Sequence, residues 1–278
     1  MAKTFLITGV SSGFGRALAE AALHDGHTVA GTVRSDSDKK NFEALGHGAH
    51  AVILDVTNIG QIALSIAAIE NDIGAIDVLV NNAGYGHEGI LEESSIDELR
   101  RQFEVNVFGA VAMIQAVLPA MRKRRAGHIL NITSMGGIIT LPGLSYYHGS
   151  KFALEGISEA LGKEVKDFGI HVTAIEPGGF RTDWAGRSMV RAARSIPDYD
   201  ALIEPIRKRR MELSGWQIGD PAKAARAMLK IALSDNPPAH LLLGSDAIRL
   251  VDDKIKSLQA DFAVWKSLSL STDVATSV

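Results

Sequence analysis

Residues 4–15 read Thr4-Phe5-Leu6-Ile7-Thr8-Gly9-Val10-Ser11-Ser12-Gly13-Phe14-Gly15. A short run apolar on consecutive residues leads into three glycines spaced G-x-x-x-G-x-G. Helical spacing of apolar residues then opens at once, over residues 14–24, and stops at Asp25-Gly26. A strand apolar on consecutive residues is one buried on both faces. Glycines between it and a helix let the backbone turn tightly and approach a ligand closely. The helix start adds unpaired N–H groups and the positive end of its dipole, a seat for a pyrophosphate. The spacing departs from the G-x-G-x-x-G dinucleotide fingerprint. Taken alone, the stretch is also compatible with a tight βα turn that binds nothing.

The same rhythm runs outward along the chain. Further short β-rich runs lie at residues 28–33, 51–54, 78–80, 128–133, 171–175 and 241–243. Helical patterns occupy residues 61–70, 96–124 and 148–168, and Asp220-Pro221 supplies an N-cap acceptor followed by proline at the first helical position. Seven strands alternating with helices predict an α/β, doubly wound parallel sheet in a single domain over residues 1–278. Two regions break the rhythm. Residues 179–219 contain no convincing strand, and 183–219 of these are expected to form a substrate lid. Residues 245–278 form a tail, helical over 247–265, expected to serve packing or subunit contact.

Composition narrows the chemistry. The chain has 278 residues, 46% hydrophobic and 22% charged, with a formal net charge of -3, which suits a globular protein with no general affinity for nucleic acid or anionic membrane. It has no cysteine, so disulfides, thiolate metal sites, iron–sulfur clusters and cysteine nucleophiles are excluded. The nine histidines form no metal-ligand motif, so no metal site is expected. The apolar run at the N-terminus is too short for a signal-peptide core, and no stretch reaches the ~18 uninterrupted apolar residues of a membrane span. A cytoplasmic location is expected. Arg122-Lys123-Arg124-Arg125 reads as a solvated helix terminus. Arg207-Lys208-Arg209-Arg210 reads as a solvated face, the alternative being an encounter with an acidic substrate group.

The T-G-x-x-x-G-x-G turn resembles that of the short-chain dehydrogenase/reductase (SDR) family, whose fold is of the Rossmann type, and other motifs extend the resemblance over residues 4–244. Asp55 follows the third strand and Asn81-Asn82-Ala83-Gly84 ends the fourth. Asn106 lies within the long helix and Ser134 ends the fifth strand. Tyr147 and Lys151 form Y-x-x-x-K, and Pro177-Gly178 and Thr182 follow the sixth strand. The resemblance implies a nicotinamide cofactor held by Gly9, Ser11, Ser12, Gly13, Phe14, Gly15, Arg34, Asp55, Val56, Asn82, Ala83, Gly84, Tyr147, Lys151, Pro177, Gly178, Phe180 and Thr182. NAD-specific members place an acid at the end of the second strand, where this chain has Val33-Arg34. A guanidinium there can hold a 2′-phosphate bidentately, so NADP(H) is favoured over NAD(H); the contrary signals are Asp36 and Asp38 nearby and Ser12 at the glycine-turn position where many NADP members carry a second basic residue.

Asn106, Ser134, Tyr147 and Lys151 are thereby the expected catalytic residues. Tyr147 and Lys151, four apart, share one helix face. A tyrosine titrates near ~10, and a fixed ammonium beside it is expected to stabilise the phenolate. Ser134 can donate to a substrate carbonyl while Tyr147 delivers the proton, and Asn106 is expected to hold a water in line with Lys151. Tyr146 is a rival that falls out of the Y-x-x-x-K register. Ser134, Met135, Tyr147 and Trp184 are the expected substrate contacts, in a wall made apolar by Ile138, Leu141, Pro142 and Met189. Residues 85–87 complete it, with His87 either in the wall or on a loop surface. The insertion and tail resemble hydroxysteroid-dehydrogenase-like members, implying a hydrophobic ketone or secondary alcohol. The alternative is a non-catalytic NADP(H)-sensing regulatory protein, whose signature would be loss of the tyrosine or lysine. An epimerase or dehydratase of the extended branch would carry a different glycine spacing and a larger C-terminal domain. Family members pair through their two long helices, implying a homodimer or homotetramer.

Overall fold

A computed structural model describes residues 2–274. In chain order the strands are β1 (Thr4–Ile7), β2 (Thr28–Val33), β3 (Ala49–Ile53), β4 (Val78–Asn81), β5 (Gly86–Glu88), β6 (Gly127–Ile132), β7 (Ile170–Pro177), β8 (Met189–Arg191) and β9 (His240–Leu243). The helices are α1 (Gly13–His24), α2 (Asp36–Glu43), α3 (Ile59–Asp72), α4 (Ile96–Phe103), α5 (Ala110–Arg124), α6 (Ser145–Val165), α7 (Asp200–Glu212), α8 (Pro221–Ala232) and α9 (Ser245–Leu270).

Seven strands form one parallel sheet in the order β3-β2-β1-β4-β6-β7-β9. The side-chain period of two divides each strand between two cores. Phe5, Ile7, Val78 and Val80 face α1 and α8. Leu6, Leu79 and Ile129 face α3, α5 and α6. Fully burying each such side chain stabilises the fold by ~1.5–3 kcal/mol. Strand order reverses between β1 and β4, and a doubly wound sheet takes its ligand at that reversal, beyond the carboxyl ends of the strands.

Local signals set several boundaries. Asp220 Oδ1 accepts from the Ala222 N–H at 2.8 Å ahead of Pro221, so α8 starts where the N-cap and proline put it. A capping box starts α4: Ser95 Oγ accepts from the Glu98 N–H at 3.3 Å, and Glu98 Oε2 from the Ser95 N–H at 2.7 Å. The expected helix over 96–124 is continuous but widens into a π turn at Glu104–Gly109, which contains Asn106. By length and composition Ile96–Arg124 is long and apolar enough to cross a membrane; here Met113, Ile114, Val117 and Met121 are buried against the sheet.

The insertion departs from its reading. It holds β8, which pairs in parallel with β5 as a second, two-stranded sheet, and α7. Both were invisible in the sequence: β8 spans only Met189–Arg191, and α7 is charge-rich, contains Pro205 and buries only Ile203. The tail is helical through Leu270 and buries only Ala247 and Val251; residues 275–278 of the expected tail lie outside the described residues.

Candidate active site

At the carboxyl end of β1 the chain enters the glycine turn with positive φ at Gly9 (73°) and Gly13 (61°), a region open to glycine without steric cost. Thr8 Oγ1 accepts from the backbone N–H groups of Asn82 and Ala83, both at 2.9 Å. The Asn82 carboxamide donates back to the carbonyls of Thr8 (2.8 Å) and Gly9 (2.9 Å). The glycine turn and the N-N-A-G turn therefore fix one another. Ser12 makes no side-chain cap on α1, which leaves the helix N-terminus free for an anion. Gly15 sits behind the turn: a Cβ there would lie 2.3 Å from Gly9 O and 2.4 Å from Asn82 Nδ2.

One cavity of about 830 Å³ runs from this turn to Tyr147. Of the expected cofactor residues, all but Gly15 are in its wall. Arg34 stands exposed at the end of β2. Asp38, the contrary signal, is engaged locally: Ser35 Oγ caps α2 by accepting from the Asp38 N–H at 3.1 Å and donates to its carboxylate at 2.7 Å. Burial opposes ionisation of Asp55, but the Thr57 N–H and hydroxyl, both donating to its Oδ1, hold the carboxyl below its ordinary range. The glycine turn, Arg34 and Tyr147 thus line one continuous cavity.

Tyr147 and Lys151 share one face of α6, both buried. Lys151 Nζ donates to Ile132 O at 2.8 Å and lies 5.8 Å from the centre of the Tyr147 ring. Burial pulls Lys151 down to about 8, against the pull of Glu155. Burial also pushes Tyr147 up to about 12, with Ser134 working the other way. The expected phenolate stabilisation does not appear in this geometry: with the ammonium beyond the ring and directed at a carbonyl, desolvation dominates and favours the protonated phenol. Ser134 Oγ accepts from the Gly136 N–H at 2.9 Å and lies in the same wall.

Asn106 is beside the cavity, not in its wall. Its Oδ1 accepts from Tyr85 N at 3.1 Å, and its Nδ2 donates to Tyr85 O (3.1 Å) and Ser150 Oγ (3.0 Å). The carboxamide thereby ties the Tyr85 loop to α6. Tyr146 is directed away, donating to Ser94 O at 2.8 Å and stacking on His87, which is itself buried outside the cavity.

The substrate side keeps Met135, Leu141 and Trp184, whose ring lies 5.1 Å from that of Tyr147. Ile138, Pro142 and Met189 drop out of the wall; Ile139, Leu144, Val190 and Leu213 take their place. His148 went unnoticed in the sequence. Its Nε2 accepts from Leu141 N (2.8 Å), so its Nδ1 carries the proton toward Gly136 O (2.7 Å), and the imidazole fastens the Ser134–Leu144 connection to α6. The histidines are also less scattered than they read: His240 Nδ1 meets Glu155 (3.0 Å) and Glu176 (2.8 Å), and burial with the neighbouring Glu155 raises Glu176 to about 7.

The family model for short chain dehydrogenase matches residues 3–191. The chain belongs to the short-chain dehydrogenase family. It is 39% identical to Oxidoreductase BOA17 of Botryotinia fuckeliana, over 98% of this chain and all of that protein. A crystal structure of a short-chain dehydrogenase from Streptomyces avermitilis is 40% identical and superimposes with a TM-score of 0.91, covering 98% of both chains. ElxO with NADP bound is 26% identical, with a TM-score of 0.73 over 87% of this chain and 96% of that one. The chain is an oxidoreductase of this family, and nicotinamide-cofactor use accompanies the fold among its structural neighbours.

Proposed function

We propose that this short-chain dehydrogenase is a cytoplasmic, homo-oligomeric NADP(H)-dependent enzyme that interconverts a hydrophobic ketone and a secondary alcohol. The observation that carries the reading is the single cavity joining the glycine turn and Arg34 to Ser134, Tyr147 and Lys151. The bound nicotinamide supplies or accepts the hydride. Ser134 orients and polarises the carbonyl oxygen. Tyr147, protonated at neutral pH, gives its proton to that oxygen as negative charge develops there. Lys151 keeps a positive charge beside the phenol and holds the cofactor's ribose. Asn106 positions the Tyr85 loop rather than touching the reacting atoms. Residues 183–219 close over the substrate as a lid, and their apolar contribution, Trp184, Val190 and Leu213, with Leu141 and Leu144 from the body, selects a hydrophobic body.

Fluorescence titration with NADPH and NADH tests the cofactor. NADPH should bind more tightly, and Arg34→Ala should weaken it by about tenfold or more while leaving NADH little changed. Tyr147→Phe should lower ketone reduction by ~10²–10⁴-fold with NADPH binding retained. Tighter NADH binding would overturn the role of Arg34. Cofactor binding without turnover across a broad ketone panel would favour a sensing protein.

A further inference from the structure

The basic run on α7 is not a solvated face throughout. Arg207 and Arg210 turn inward with side chains 13% exposed, whereas Lys208 between them is 79% exposed. Both meet one carboxylate, Glu88 of β5, which is fully buried. Arg207 Nε donates to Glu88 Oε1 at 2.8 Å and Arg210 Nη1 donates to Oε2. Arg191, opposite Glu88 in the β5–β8 ladder, brings a third guanidinium to 3.4 Å. The two inward guanidinium groups of α7, Arg207 and Arg210, thus share one carboxylate. Arg207 is further occupied through Nη2 on Ala192 O at 2.9 Å. Arg210 is the member in the cavity wall, with Leu213 and His148. Among the described residues Glu88 is its only carboxylate partner.

The rest of that end of the cavity does not offset it. Asp183 and Arg187 pair with each other at 2.9 Å. His148 stays neutral, because burial and the Arg210 charge both lower its pKa and Leu141 N donates to its Nε2. An apolar-lined space therefore ends on a cation whose own carboxylate is shared with Arg207.

We propose that Arg210 forms an anion subsite, and that the substrate is an amphipathic ketone or alcohol carrying an oxyanion (carboxylate, sulfonate or phosphate) at the end remote from the reacting carbon. For the other end of the substrate this rests on the carbonyl chemistry proposed above. Glu88 fixes the guanidinium through one N–H and leaves its fork to make charge-assisted hydrogen bonds with the ligand. Because Arg210 shares its carboxylate with Arg207, its charge offsets part of the cost of desolvating the anion.

The test compares straight-chain oxo-acids of increasing length with their methyl esters, and adds sulfonate and phosphate analogues at the best length. Binding is read in the presence of NADP⁺ by tryptophan fluorescence, since Trp184 is in the wall, and turnover by NADPH absorbance. At the best length the wild type should bind the acid at least about tenfold more tightly than the ester. Arg210→Met should bring acid and ester near parity, Arg210→Lys should recover part of the preference, and exposed Arg209→Met should keep it. NADPH titration of each variant shows that it is folded; should Arg210→Met fail to fold, the wild-type ratio and Arg210→Lys still decide. Equal binding of acid and ester by the wild type, or a preference that survives Arg210→Met, overturns the subsite. Acid-selective binding without turnover upholds the subsite and overturns the reduction reading. Turnover of acids and esters alike does the reverse.

Discussion

Tyr147 and Lys151 differ in what burial does to them. Desolvation disfavours the charged form of each, so the phenol rises to about 12 and the ammonium falls to about 8. Reduction needs the phenol protonated and the lysine charged. On raising the pH, the lysine is the first of the two to change state. The kcat/KM for ketone reduction, which reports the free enzyme, should hold below about 8 and then fall, approaching roughly tenfold per pH unit. Alcohol oxidation, which needs the proton removed from Tyr147 while Lys151 stays charged, should rise up to about pH 8 and then level off. A reduction profile flat to pH ~10 would sink the assignment of Lys151 as the titrating group. The pair was legible because it matches the Y-x-x-x-K motif of the family the chain resembles, and its spacing places both residues on one helix face. The direction of the tyrosine shift was not, because spacing says nothing of burial.

Among the elements, the glycine turn is the one least able to change. Gly15 has no room for a side chain, and the atoms it would strike, Gly9 O and Asn82 Nδ2, hold the two ligand-facing turns together. Gly15→Ala should cost about 1–3 kcal/mol of stability. It should also weaken NADPH binding, because relief of the clash parts the Asn82 carboxamide from Gly9. Thermal melts with and without NADPH separate the two effects; a variant with wild-type melting and wild-type NADPH affinity would refute this account of the turn. α2 illustrates the opposite case. It is polar, short and held by Phe42 alone among its residues, yet Ser35 caps it and donates to the Asp38 carboxylate, which stays in the cavity wall with Arg34.

At the scale of the whole molecule, the parallel sheet buries polar groups that must be served internally. His128 on β6 is 4% exposed, with Nε2 2.9 Å from Thr173 Oγ1 on β7. Burial, then the nearby His171, lowers it to about 4 from an ordinary 6.5. Its folded pKa is depressed, so its contribution is fully present above 6.5 and is lost as pH falls toward about 4, when the unfolded chain takes up a proton that the folded one refuses. The contribution at stake is about 3 kcal/mol. Urea melts of the wild type should lose stability across that window more steeply than those of His128→Gln, which keeps a hydrogen-bonding side chain but cannot titrate. Parallel pH dependences in the two proteins would assign the acid sensitivity elsewhere.

The seven core strands, most of the helices between them and the glycine turn were determined by sequence alone, because each depends on short-range periodicity or on spacing within one element. Ser134, Tyr147 and Lys151 were legible through the motifs that resemble the family's. Tertiary structure alone decided the rest. It set Tyr146 and His87 outside the cavity and took up the Asn106 carboxamide on Tyr85 and Ser150. It exchanged Ile138, Pro142 and Met189 for other apolar residues in the wall. It also turned half of a basic run inward onto Glu88, more than a hundred positions away in the chain. Which way an arginine points depends on the carboxylate it meets, and local sequence does not contain that partner.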